Sequence, residues 1–163
     1  MSYNANMKHE KLELSVGKLL ARKKFTLSVA ESVTGGLISD KITNISGSSR
    51  YFLMGVIAYS NKSKEKLLGV SRKTLQKYGA VSKEIALSMA CGVKKRAGSN
   101  IGLSTTGIAG PKGGTRKKPV GLVYIGIDAG WIKLVKILRL KGNRFDIKRE
   151  AANAALGLLC ELL

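Results

Sequence analysis

The stretch FTLSVAESVTGGLISDKITNI, Phe25 to Ile45, decides how this chain folds. Phe25 to Ala30 is β-prone, Glu31-Ser32-Val33-Thr34-Gly35-Gly36 breaks the pattern, and Leu37, Ile38, Ile42 and Ile45 resume at helical spacing. A strand, a tight turn and a helix are therefore predicted. Upstream, Leu12, Val16, Leu19 and Leu20 form one stripe of an amphipathic helix ending near Arg22 to Lys24. Downstream, Phe52 to Tyr59 is a near-continuous apolar run, which predicts a strand covered on both faces. Asn61 reads as the N-cap of a short helix through Leu68, stopped by Gly69. Ser82 reads as the cap of a longer helix with Ile85, Met89 and Val93 on one face and Glu84 in its first turn. Ile101 to Thr106 is the next strand, and the glycine-rich Gly107 to Pro119 separates it from Val120 to Ile127. An Asp128-Ala129-Gly130 turn leads to a last strand, Trp131 to Leu140, and Ile147, Ala151, Ala154, Ala155, Leu158 and Leu159 line a closing helix. Alternating strands and helices predict an α/β fold, a three-layer α/β/α sandwich, and the final hairpin makes its sheet mixed, mostly parallel.

The length of 163 residues predicts one domain over residues 1–163, since a typical domain has about 150. With 44% apolar and 24% charged residues the chain is too hydrophobic to be disordered. The apolar stretch Val120 to Ile127 ends at Asp128, far short of the ~20 residues of a membrane span, so no membrane partner is expected. The opening MSYNANMKHEKLE lacks the basic and apolar regions of a secretory signal, which makes the cytoplasm the expected compartment. Cys91 and Cys160 are too few for a disulfide framework and lack the spacing of a metal knuckle; both read as buried small hydrophobes. The sole histidine, His9, lies near the N-terminus, leaving a Ser-His-Asp triad or a histidine-bearing zinc site without a member. Neither metal nor cofactor is expected. The 29 basic residues against 10 acidic give +19, a field that concentrates anions. Solvated faces, steering of an anionic small substrate and nucleic-acid binding all remain open on that number.

Ligands of open α/β sheets bind beyond the carboxyl ends of the strands, and three polar segments fall there. In Glu31 to Gly36, Ser32 stands at a strand end with small residues and free N–H groups before a helix; it is either a nucleophile beside an oxyanion hole or, like Thr34, a simple helix cap. Thr106 to Thr115 is glycine-rich enough for its backbone to approach an anion, yet matches neither the P-loop nor the dinucleotide pattern, and a plain loop is the alternative. Tyr59 to Lys64 ends a strand and opens a helix, where Lys64 would feel the helix dipole and the cations Lys62 and Lys66, all favouring its neutral form. A solvated lysine is the alternative. With no histidine and one acid, Glu31, in these segments, Ser with Lys is the nucleophile and base pair left to a hydrolase.

The strings AESVTGG (30–36), ISGSSRYFLMGVIAYSNKSKEKLLGV (45–70), YGAVS (78–82), TGIAGPKGGT (106–115) and KPVGLVYIGI (118–127) resemble the C-terminal domain of CinA, the competence-damage-inducible protein, over about residues 10–162. That family includes nicotinamide mononucleotide (NMN) deamidases, and the resemblance implies hydrolysis of the NMN carboxamide to nicotinic acid mononucleotide and ammonia by a stand-alone, homo-oligomeric form. It further implies a catalytic set of Ser32, Lys64 and Tyr59: Ser32 attacks, Lys64 takes the proton and returns it to ammonia, and N–H groups at Thr34, Gly35 and Gly36 hold the oxyanion. Glu31, Asn61, Thr106, Gly107, Ala109, Gly110 and Arg144 complete the substrate-binding set, Arg144 because Gly142-Asn143-Arg144 resembles the family's Gly-Asp-Arg and a guanidinium can bind phosphate bidentately. Val33 stands where members usually have cysteine; Lys112, Arg116 and Lys117 replace a glycine, a proline and an acid; Asn143 and Lys148 replace aspartate and arginine. Two rivals from other classes are a nucleic-acid-binding module, suggested by +19 and the link to competence, and a non-catalytic nucleotide sensor. With 6% aromatic residues, mostly in predicted strands, stacking platforms are not expected, and nucleic acid should bind only weakly and without sequence preference.

Overall fold

The computed structural model describes residues 11–163; His9 and the reading of residues 1–10 lie outside the described residues. The elements are α1 (Leu12–Lys23), β1 (Leu27–Glu31), α2 (Leu37–Thr43), β2 (Phe52–Ile57), α3 (Asn61–Leu68), α4 (Arg72–Tyr78), α5 (Lys83–Ala97), β3 (Ile101–Gly107), β4 (Leu122–Asp128), β5 (Lys133–Arg139) and α6 (Arg144–Leu162). One sheet of order β2-β1-β3-β4-β5 holds them together. β1 pairs in parallel with β2 and β3, while β4 is antiparallel to both its neighbours, so four of the five strands share one direction.

Strand alternation sorts the core into two layers. Leu27 and Val29 of β1, Ile101 and Leu103 of β3, and Ile125 and Ile127 of β4 join α1, α2 and α6 in one cluster. Ala30 faces the other way, toward Leu68, Leu75 and the Ile85, Met89 and Val93 stripe of α5. This is the α/β/α sandwich the sequence predicts. Small residues let α5 settle close on the sheet: a Cβ at Gly126 would stand 2.5 Å from the Ala86 carbonyl oxygen and at Gly102 still nearer that of Ala90.

Four local expectations need correction. β2 is an edge strand with alternating burial, and Leu53 and Ile57 are 47% and 54% exposed; its apolar run is covered on one face, not two. Ser60 rather than Asn61 caps α3, accepting from the Ser63 N–H at 3.0 Å. Helix α4, which the pattern did not predict, buries only Leu75, too little for a stripe. Both cysteines are half-buried rather than buried. Ser82 caps α5 as predicted, its Oγ accepting from the Ile85 N–H. Among the described residues no helix is long and apolar enough to cross a membrane, and no group of three His, Cys, Asp or Glu side chains is placed to hold a metal ion.

Candidate active site

The parallel registers bring three strand ends together. Glu31 lies opposite Ile57 on one side and Thr105 on the other, so Ser32, Ala58 and Thr106 follow side by side. From β1 the chain crosses through α2 to one face; it enters neighbouring β3 from the α5 face, the topology that opens a crevice at the carboxyl ends. A cleft of about 270 Å³ lies there, near the small end of the ~300–1,000 Å³ of ligand sites. Ser32, Val33, Tyr59, Lys64, Ala80, Val81, the 106–110 loop, Lys112, Gly113 and Arg144 line it.

Lys64 is the largest fully buried side chain of the molecule's described part, 1% exposed, and no carboxylate accompanies it. Its Nζ lies 3.1 Å from Ser32 Oγ, 2.9 Å from the Ala58 carbonyl oxygen and 3.4 Å from that of Tyr59. Burial pulls its pKa from the ordinary lysine value down to about 8. The cause is desolvation, in place of the dipole and cation effects of Lys62 and Lys66 inferred from sequence. A neutral amine has two N–H donors and one lone pair. As the ammonium, Lys64 donates to Ser32 Oγ and to both carbonyls; once neutral it keeps the two carbonyl bonds and turns its lone pair to the Ser32 hydroxyl, the arrangement of a base beside its nucleophile.

Glu31, expected to bind substrate, does something else. Its carboxylate is fully buried and accepts from the N–H groups of Gly36, Ile38 and Ser39 and from the Ser39 hydroxyl, at 2.7 to 3.1 Å. It closes the N-terminus of α2 and fixes the turn that carries Ser32. Gly36 therefore has no N–H to offer an oxyanion, which corrects that part of the expected hole. The N–H groups of Val33, Thr34 and Gly35 have no acceptor among the described residues. The Thr34 hydroxyl is paired with that of Thr105 at 2.8 Å, away from substrate, and locks the turn to β3. Lys148 reaches over this turn, its Nζ 3.3 Å from where a Cβ on Gly35 would stand.

Arg144, the first residue of α6, spans the cleft mouth. Its guanidinium donates to the Gly110 carbonyl at 2.8 Å and to the Tyr59 hydroxyl at 2.8 Å, leaving three of five N–H groups for a ligand. Tyr59 thus joins both halves, its carbonyl on Lys64 and its phenol on Arg144. Gly107, Ala109 and Gly110 line the wall as expected; at Gly110, φ is 76° and a Cβ would meet Val120 at 2.6 Å, so only glycine fits. The Thr106 hydroxyl donates to the Ala80 carbonyl at 2.8 Å and has only lone pairs left for substrate. Asn61 is exposed and lies outside the lining. Sequence reading missed the carbonyls of Ala58 and Tyr59, which leave no side-chain signal, and gave no role to Ala80 and Val81, although the YGAVS string containing them stood out.

Comparison with known proteins places the chain in a family. Residues 9–163 match the model of the CinA C-terminal domain. A CinA-like protein of Kosmotoga olearia is 54% identical over 147 residues, 90% of this chain and 36% of that protein, and a competence-damage inducible protein of Thermoanaerobacter sp. is 51% identical over 150 residues, 92% and 36%. The chain spans about a third of the length of these curated relatives. Among solved structures, the competence/damage inducible protein CihA from Agrobacterium tumefaciens superposes with a TM-score of 0.90 at 38% identity, covering 93% of each chain. The competence damage-inducible protein A of Klebsiella pneumoniae gives 0.89 at 28% identity, covering 92% of this chain and 93% of that one. On fold, on motif order and on sequence identity, the chain belongs to the CinA C-terminal domain family.

Proposed function

We propose that this domain is a cytoplasmic amidohydrolase that cleaves the exocyclic carboxamide of nicotinamide mononucleotide, giving nicotinic acid mononucleotide and ammonia for pyridine nucleotide recycling. The observation that carries the proposal is the buried Ser32 and Lys64 pair, 3.1 Å apart at the floor of a cleft whose rim is cationic. A protein that only sensed a nucleotide would gain nothing from burying a lysine without a carboxylate partner. Ser32 Oγ attacks the carboxamide carbon as its proton passes to Lys64 Nζ; the tetrahedral oxyanion is held by the N–H groups of Val33, Thr34 and Gly35. Lys64 returns the proton to the departing nitrogen, the C–N bond breaks, and ammonia leaves an acyl-Ser32 ester. Water, deprotonated by the same amine, hydrolyses the ester and regenerates the serine. At the other end the phosphate is held by the free N–H groups of Arg144 and by the Lys112 ammonium, with the 107–110 backbone alongside. Purified protein incubated with NMN should release ammonia and nicotinic acid mononucleotide in equal amounts. Tight NMN binding without ammonia would refute hydrolysis and leave a nucleotide sensor.

A further inference from the structure

The end of the sheet opposite the cleft carries charge that amide hydrolysis does not use. Lys24 leads from α1 toward β1, residues 98–100 lead from α5 into β3, and residues 129–132 join β4 to β5. Because β4 is antiparallel to β3 and Asp128 lies opposite Gly102, these junctions meet at one end. They are stitched together: Thr26 donates from N and Oγ1 to Asn100 Oδ1 at 2.8 and 2.9 Å, and the Asn100 N–H returns a bond to Thr26 Oγ1 at 3.0 Å. The rings of Phe25 and Trp131 lie 5.1 Å apart, tilted by 32°.

The same end carries Arg22, Lys23 and Lys24 at the close of α1, Lys95 and Arg96 in the last turn of α5, and Lys133 at the start of β5, all exposed; Arg96 donates to the Leu67 carbonyl at 3.2 Å and Lys133 lies 3.9 Å from Asp128. The one carboxylate at these junctions, Asp128, is held by Lys94 at 2.9 Å. Glu13 of α1 and Glu161 of α6 pair elsewhere, with Lys41 and Lys136. Trp131, expected within a strand, instead lies in the turn before β5 and is 57% exposed. An indole left in water at an end where Arg22, Lys23, Lys24 and Lys95 outnumber the single carboxylate Asp128 combines the two features of sequence-tolerant single-strand binding, phosphate neutralisation and base stacking. A duplex offers no base face to such a ring, and α1 does not offer the apolar face of an amphipathic membrane helix, since Val16 and Leu20 lie in the core.

We propose that this end of the molecule binds single-stranded nucleic acid, with phosphates along the ends of α1 and α5 and a base stacked on Trp131. The surface is independent of the cleft. Trp131 is the only tryptophan of the chain, so its emission reports stacking directly. Titration of the full chain with a 12-nucleotide oligothymidylate should quench that emission saturably and weaken with salt. Neutralising Lys23 and Lys24 to Gln should reduce the log–log salt slope by about 1.4. Trp131→Ala should weaken binding of a labelled oligonucleotide about tenfold, and Trp131→Phe should retain most of it. Arg116→Gln with Lys117→Gln, on the glycine loop, should change nothing. Equal affinity for duplex and single strand with no effect of Trp131→Ala would overturn the proposal in favour of a diffuse polyanion atmosphere. Trp131-dependent binding to phosphatidylserine vesicles without oligonucleotide binding would overturn it in favour of a membrane, and no quenching at 50 mM salt would end it.

Discussion

Replacing Lys64 by Met should remove activity and change how stability depends on pH, and the second effect can be worked from the structure. Lys64 is 1% exposed, and burial lowers its pKa from 10.5 to about 8. At about 1.36 kcal/mol per unit, the folded state opposes the charged form by about 3 kcal/mol, with no solvent screening to discount. The sign follows from proton counting. Between pH 8 and 10.5 the unfolded chain holds the proton and the folded chain has released it, so stability rises with pH through that window. Below pH 8 the whole penalty is present; above 10.5 it is gone. Lys64→Met has no such group. Its stability relative to the parent should therefore fall by about 2 kcal/mol between pH 7 and 9.5, whatever constant offset the lost hydrogen bonds introduce. Urea unfolding followed by far-ultraviolet circular dichroism at half-unit pH steps reads this as a midpoint difference that changes by about 1 M. The rate carries the same signature: about a tenth of Lys64 is neutral at pH 7, so kcat/KM should climb toward a plateau above pH 8, about tenfold in all. Lys64→Arg, which keeps a cation that cannot act as a base, should be as inactive as the Met variant. Stability profiles that stay parallel from pH 7 to 9.5 would show that Lys64 keeps an ordinary pKa, and the proton-transfer scheme would fall with it.

Ser32→Ala should lower deamidation at least ~10³-fold with little change in NMN affinity or melting temperature, since the hydroxyl acts on the chemical step; a folded variant with most of its activity would point to direct attack by water. Nicotinamide riboside should be a poor substrate, and Arg144→Gln should raise KM for NMN about tenfold while leaving that for the riboside alone; equal specificity constants for the two substrates would assign the 106–115 loop and Arg144 another task. Glu31→Gln places an amide NH₂ against two of the four donors that the carboxylate accepts and should destabilise by about 3 kcal/mol in thermal and urea melts, an effect absent if α2 reorganises freely.

The sandwich was legible because its central elements repeat at clear periods: Leu27 and Val29 alternate with Ser28 and Ala30, and Ile85, Met89 and Val93 recur at four. Helix α4 was not, since its single buried Leu75 sets no period. The run Phe52 to Tyr59 announced a strand but not its neighbours, because an apolar run reads alike whether one face is covered or two; the edge position follows from β1 pairing with β3 across about seventy intervening residues. Ser32 and Lys64 were visible as residue types at element ends. Their contact was implied by the family resemblance alone, for it depends on β1 and β2 lying in parallel so that α3 begins beside the end of β1. The expected oxyanion hole erred at Gly36 because a turn's N–H groups look free in a sequence until a side chain from the preceding strand is folded back on them.

That side chain bears on how a substrate with two unlike ends would be oriented. An open helix N-terminus one turn from Ser32 would draw a phosphate to the reacting end, since unpaired N–H groups and the helix dipole favour anions there. Glu31 weakens this attraction, by accepting the N–H groups of Gly36, Ile38 and Ser39 and by placing a carboxylate against the dipole, and leaves the N–H groups of Val33, Thr34 and Gly35 for an oxyanion. Arg144 and Lys112 line the cleft wall formed by α6 and the glycine loop, while Lys148 of α6 reaches over the turn at Gly35. On the proposed function, Arg144 and Lys112 would draw the phosphate and leave the neutral carboxamide for Ser32. The same arrangement keeps an anion from settling beside Lys64, where it would favour the ammonium and leave the base protonated. On the proposed function, a buried carboxylate with no place against the substrate would serve both the orientation of the nucleotide and the uncharged state of the lysine.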